Sequence, residues 1–150
     1  MPQSLVKNYI HIVFSTKHRQ PFIKKEIRDE LYAYLGGTCN KFESTPISIG
    51  GVEDHVHILC LLSKKMTLVE LVSKVKSSSS KWLKTKGDDY ENFYWQGGYS
   101  AFSVNPSEVD IVIKYIQNQE EHHRKRTFKE EIRLFLKKYK IEFDEQYVWD

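Results

Sequence analysis

The chain has 150 residues, 40% apolar and 29% charged, which fits one globular fold with a core that needs no covalent staples. Its two cysteines, Cys39 and Cys60, exclude a disulfide scaffold and a four-cysteine zinc site. No apolar run is long enough to cross a bilayer and residues 1–7 lack a secretory apolar region, so the expected location is the cytoplasm, with no membrane partner.

The net charge of +3 says less than its distribution. Residues 64–86 hold seven lysines against Glu70, for +6, and residues 112–140 hold +5. Between and after them, residues 87–111 hold −5 and residues 141–150 hold −4. Two basic blocks suit a polyanionic partner. They equally describe two solvated helix faces.

Tyr9 to Phe14 is apolar and β-branched and predicts a strand. A loop follows and is broken by Pro21. Ile27, Leu31, Tyr34, Leu35 and Phe42 recur at helical spacing and predict a helix from Glu26 to about Phe42. Ile47 to Val52 and His55 to Leu62 predict a hairpin around Glu53-Asp54. Thr67 and Glu70 form a capping box opening a second helix, with Leu68, Leu71, Val72, Val75 and Leu83 inward. Tyr99 to Val104 predicts a fourth strand. Ser107 with Asp110 predicts a second capping box and a helix through about Arg124. Thr127 with Glu130 predicts a third box and a last helix to about Tyr139.

The order β-α-β-β-α-β-α-α predicts an α+β fold. Its first six elements match the split βαβ, ferredoxin-like arrangement. The antiparallel sheet then carries helices on one face, leaves the other free for a ligand or partner, and is followed by C-terminal helices. We expect one domain throughout, residues 1–150.

Strand side chains alternate, so His55 and His57 share one face and can grip one divalent metal while Val56 packs on the other. The same spacing also describes two half-exposed strand histidines. A third ligand is needed. Glu53 and Asp54 sit in the adjacent turn, and a second cluster, His122-His123, lies on the penultimate helix. On that helix Tyr115 and Gln119 are four apart, so they stack on one face, and His122 continues the stripe. Gln119 can supply an amide oxygen, although an ordinary helix with Tyr115 at its boundary explains the same spacing. His11, in the first strand, is a near-site candidate.

Together these motifs resemble the single-tyrosine HUH transposases, the insertion-sequence-200-like enzymes and their REP-associated tyrosine transposase relatives. His11 to Arg19, Gly51 to His57 and Trp95 to Val104 resemble that family too. The resemblance runs in order from about residue 5 to 128, with a helical extension from about 128 to 150. It implies that His55, His57 and Gln119 hold Mg²⁺ or Mn²⁺ and that Tyr115 is the nucleophile; His122, on the same stripe, and His11 remain near-site candidates. It implies a homodimer that cleaves and rejoins single-stranded DNA beside a hairpin, a subterminal palindrome, through a 5′-phosphotyrosine. The alternative is a domesticated, non-mobilising hairpin-binding regulator on the same fold. Arg19, Lys74, Lys76, Lys81, Arg124, Lys125 and Arg126 are the candidate phosphate contacts. Trp95, Tyr99 and Phe102 can stack on unpaired bases or pack in a core.

Overall fold

A computed structural model describes residues 2–150. Its elements are β1 (Tyr9–Ser15), α1 (Lys25–Lys41), β2 (Thr45–Val52), β3 (His55–Leu61), α2 (Leu68–Lys84), β4 (Ser100–Val104), α3 (Val109–Gln117), α4 (Gln119–His123) and α5 (Phe128–Lys138). The sheet order is β2-β3-β1-β4, with every neighbouring pair antiparallel. This is the α+β, split βαβ arrangement expected from the element order.

One face of β1 and β3 presents Ile10, Ile12, Phe14, Val56, Ile58 and Cys60. Against it pack Ile27, Leu31 and Leu35 of α1 and Leu71, Val72 and Val75 of α2. The other face presents His11, Val13, His55, His57 and Leu59. That face is not free, as the sequence suggested, but covered. Ile116 of α3 packs on Leu59 and Val104. Phe128, Ile132 and Leu136 of α5 pack with Val13, Phe102 and Trp149. The reason is amphipathicity: each of these helices carries an apolar stripe, and the second sheet face is the surface that buries both. β1 is thus covered on both sides, which is why it reads as a nearly unbroken apolar run.

The capping boxes of α2 and α5 form as expected, with Glu70 N and Glu130 N each donating to its threonine Oγ1 at 3.2 Å. The box at Ser107 and Asp110 does not. Asn105 caps instead, its Oδ1 accepting from Ser107 N at 3.0 Å over a short 3₁₀ turn at Pro106–Glu108. Proline at the first position of that turn suits a cap one residue earlier. The expected single helix through Arg124 is also broken. Asn118 leaves the helical region (φ −103°, ψ 27°) and separates α3 from α4.

Residues 141–150 fold back onto the fold. Arg133 Nε donates to Glu145 Oε1 at 2.7 Å, Trp149 is buried beside Phe128, and Gly98 N donates to Asp150 O at 2.9 Å. Among the described residues no helix is long and apolar enough to cross a membrane.

Candidate functional site

The covered face of the sheet is polar at its centre. Five of the six histidines gather there: His11, His55, His57, His122 and His123. His55 and His57 are fully buried at the start of β3, on one face as the strand period requires. The break at Asn118 turns α4 so that Gln119 and His123 both face the cluster. Gln119 Oε1 lies 3.2 Å from His55 Nε2. Tyr115, one turn before Gln119, stacks on His122 with ring centroids 4.5 Å apart.

The centre of the cluster is a residue the sequence reading did not select, Glu131 of α5. Its Oε1 lies 3.2 Å from the Nε2 atoms of His55, His57 and His123. Its Oε2 accepts the hydroxyl of Tyr115 and, at 3.4 Å, Gln119 Nε2. One signal was available. Phe128, Ile132, Phe135 and Leu136 form the apolar stripe of α5, and Glu131 falls within it. A carboxylate on the buried stripe of an amphipathic helix needs partners.

Outer contacts orient the inner ones. Asp54 Oδ1 lies 2.6 Å from His55 Nδ1 and accepts its proton, which turns Nε2 inward. His57 Nδ1 meets His11 Nε2 at 2.8 Å. Burial, with His57 beside it, lowers the His11 pKa well below the usual imidazole value, so that ring is neutral at pH 7. Burial also opposes charge on His55, but hydrogen bonds to Asp54 and Glu131 outweigh it and hold its pKa near 9. His57 stays lowered by its burial despite Glu131. Burial works against the Glu131 charge as well, yet the hydrogen bonds from His123, His55 and His57 keep its carboxyl below the usual range. Tyr115 is pushed up by burial and by the charge on Glu131, so its phenol holds its proton at neutral pH.

Does the cluster fit a divalent metal? His55, His57 and Glu131 each offer one ligand atom, all within 4.8 Å of one another, and all three residues are buried. Imidazole nitrogen with carboxylate and amide oxygen is a donor set that several divalent ions accept. The residues fit.

The candidate phosphate contacts are scattered. Lys74 and Lys81 lie on α2, across the sheet from the histidines, because the apolar stripe of α2 packs on the opposite face. Lys76 is turned inward. Its Nζ donates to Gln96 O at 2.8 Å and also to Gly98 O, and burial lowers its pKa to about 8. Arg19 donates to Trp149 O at 2.7 Å. Arg124, Lys125 and Arg126 are exposed and lie beside the cluster, between α4 and α5. Trp95 and Phe102 are buried in the two cores, while Tyr99 is exposed. A groove of about 230 Å³ between α3 and α5 reaches Tyr115 and Glu131, with Phe135 on its wall and Arg126 and Lys138 at its sides.

Residues 4–119 match the family profile described as "Transposase IS200 like". A crystal structure of a candidate transposase from Deinococcus radiodurans R1 is 20% identical with a TM-score of 0.62, covering 79% of this chain and 98% of that one. A REP-associated tyrosine transposase bound to a REP hairpin is 11% identical with a TM-score of 0.59, covering 82% of this chain and 73% of that one. At these identities the two structures establish a shared fold. No curated protein matches the chain in sequence.

Proposed function

Because this chain belongs to the IS200-like transposase family, we propose that it is a metal-dependent transposase of single-stranded DNA that cleaves and rejoins beside hairpin ends through a 5′-phosphotyrosine on Tyr115. The observation that carries this reading is a juxtaposition. The Tyr115 hydroxyl shares one carboxylate with the three imidazoles of His55, His57 and His123, at the bottom of a groove with basic sides. A lone buried phenol has no chemistry of its own; a phenol beside a cation site can attack phosphorus.

In this reading the phenol passes its proton to the Glu131 carboxylate its hydroxyl already meets, its oxygen bonds to phosphorus, the bond to the 3′ oxygen breaks, and that oxygen takes up a proton from water. The products are a 5′-phosphotyrosine and a free 3′-OH, and the reverse attack rejoins strands without ATP. His55, His57 and Gln119 would hold Mg²⁺ or Mn²⁺, which when bound supplies Lewis-acid stabilisation of the phosphoryl oxygens. Asp54 and His11 hold the two imidazoles in place. Arg126 and Lys138 meet the phosphate backbone, and Phe135 offers a ring to an unpaired base. Residues 5–128 are read as the transposase domain and residues 128–150 as a helical extension of it. The enzyme would act as a homodimer in the cytoplasm. Exposed Ile111 and Leu134 flank the groove and offer apolar surface to a second copy.

The test is to mix the protein with labelled single-stranded DNA carrying the hairpin that flanks its own gene, with Mg²⁺ or Mn²⁺. A denaturation-resistant adduct is expected, absent in EDTA. Hairpin binding without any adduct would instead support the regulator. In the same assay Arg126→Ala is expected to weaken DNA binding across sequences and to lower the slope of log affinity against log salt by about 1. An unchanged slope would remove Arg126 from the DNA path.

A further inference from the structure

The cluster contains a conflict of hydrogen-bond chemistry. His123 Nδ1 meets Arg126 O at 2.8 Å, and a carbonyl only accepts, so that nitrogen carries the proton. His55 Nδ1 donates to Asp54 in the same way. In neutral rings the inward Nε2 atoms of both histidines then present lone pairs. They point at Glu131 Oε1 from 3.2 Å, and that atom also only accepts. Gln119 Oε1, a further acceptor, stands 3.2 Å from His55 Nε2. With both rings neutral, four acceptors converge; without an ion, a proton on an imidazole Nε2 bridges to Glu131 Oε1, and a divalent cation can take that proton's place.

A cation resolves such a convergence, and the spacing suits one. Ligands on neighbouring corners of an octahedron of about 2.1 Å radius lie about 3.0 Å apart. Apolar packing alone gives no reason for a carboxylate here; what receives it is the polar cluster. α5 is held by Phe128, Ile132 and Leu136, and burying a charge among them is costly without a partner.

Resting on the reading of this cluster as a metal centre, we infer that Glu131 is itself a ligand of the divalent cation. Oε1 binds the ion, and Oε2 receives the Tyr115 hydroxyl. Glu131 therefore ties the nucleophile to the metal, and α5 is part of the catalytic apparatus although it lies beyond residues 4–119, the span matched by the family profile. The extension supplies a ligand as well as stability.

Mn²⁺ titration followed by the paramagnetic resonance of the free ion tests this without any DNA. The wild-type chain is expected to bind one Mn²⁺, and Glu131→Ala to weaken that binding at least tenfold. Glu131→Gln keeps the shape and a neutral oxygen and is expected to fall between the two. It also serves if Glu131→Ala fails to fold, which circular dichroism and a thermal melt will show. A second readout is the melt itself: Mn²⁺ should raise the wild-type midpoint and leave that of Glu131→Ala nearly unmoved. Unchanged affinity in both variants overturns the inference. So does tighter binding, which would make the carboxylate a plug in the ion's place, and so does a wild-type chain that takes up no Mn²⁺. Glu131-dependent binding in a protein that forms no DNA adduct upholds this inference and sinks the transferase reading. An adduct and an Mn²⁺ affinity both indifferent to Glu131 do the reverse.

Discussion

Tyr115→Phe is expected to abolish the DNA adduct while leaving the fold and the metal centre in place. The ring survives the change. It still stacks on His122 at 4.5 Å and still meets Phe135 edge-on at 5.6 Å. Only the hydroxyl is lost, and with it one hydrogen bond to Glu131 Oε2. That oxygen keeps Gln119 Nε2, and Oε1 keeps its three imidazoles. The cost in stability is therefore about 1.5–3 kcal/mol, the range for one hydrogen bond to a charged group. The cost in chemistry is total for the covalent product, because phenylalanine has no oxygen to attack phosphorus. Removing a nucleophile elsewhere costs on the order of 10⁴-fold or more. Gel analysis after denaturation measures the adduct, and product length measures cleavage. Cleavage that persists in Tyr115→Phe would mean that water is the nucleophile and the protein a metal-dependent hydrolase.

Much of this site could be read from local sequence rules. The alternation of a strand places His55 and His57 together, and the four-residue helix spacing places Tyr115 over Gln119. Both rules act over one turn or one pleat, and both held. The capping boxes at Thr67 and Thr127 held for the same reason, since each is closed by residues three apart. What escaped is non-local. The break at Asn118 turns α4 toward the sheet, and no residue spacing announces it. Glu131 meets His55 and His57 across more than 70 positions, through the docking of α5 on Val13 and Phe102. Its only local trace was a carboxylate on an apolar stripe. The lysines of α2 show the converse. Their charge was plain, but which side of the sheet they occupy depends on where the helix packs. Sequence charge counts could not separate Lys76, drawn onto backbone carbonyls, from its exposed neighbours.

Gly50→Ala is expected to damage the site without touching any of its polar groups. Gly50 sits in β2 opposite His57, on the face covered by α3. A Cβ there would stand 2.8 Å from Ile116 O and 3.0 Å from Ile116 Cγ2. The first contact is with backbone, so no rotamer change relieves it. Either α3 lifts from the sheet or β2 bends away from β3. Ile116 lies between Tyr115 and Gln119 on the chain, so any lift of α3 displaces both from the histidines. Overpacking of this kind costs about 1–3 kcal/mol. The effect on adduct formation is larger, because misplacement of reacting groups by about 1 Å costs roughly 100-fold. The contrast is Gly37→Ala in α1, where an added Cβ meets nothing within 4 Å and helix propensity favours alanine. That change should raise stability by about 0.5–1 kcal/mol and leave adduct formation alone. Thermal melts and adduct yields of the two variants, measured side by side, decide the point. A Gly50→Ala protein with wild-type adduct yield would show that the seating of α3 on β2 does not position Tyr115.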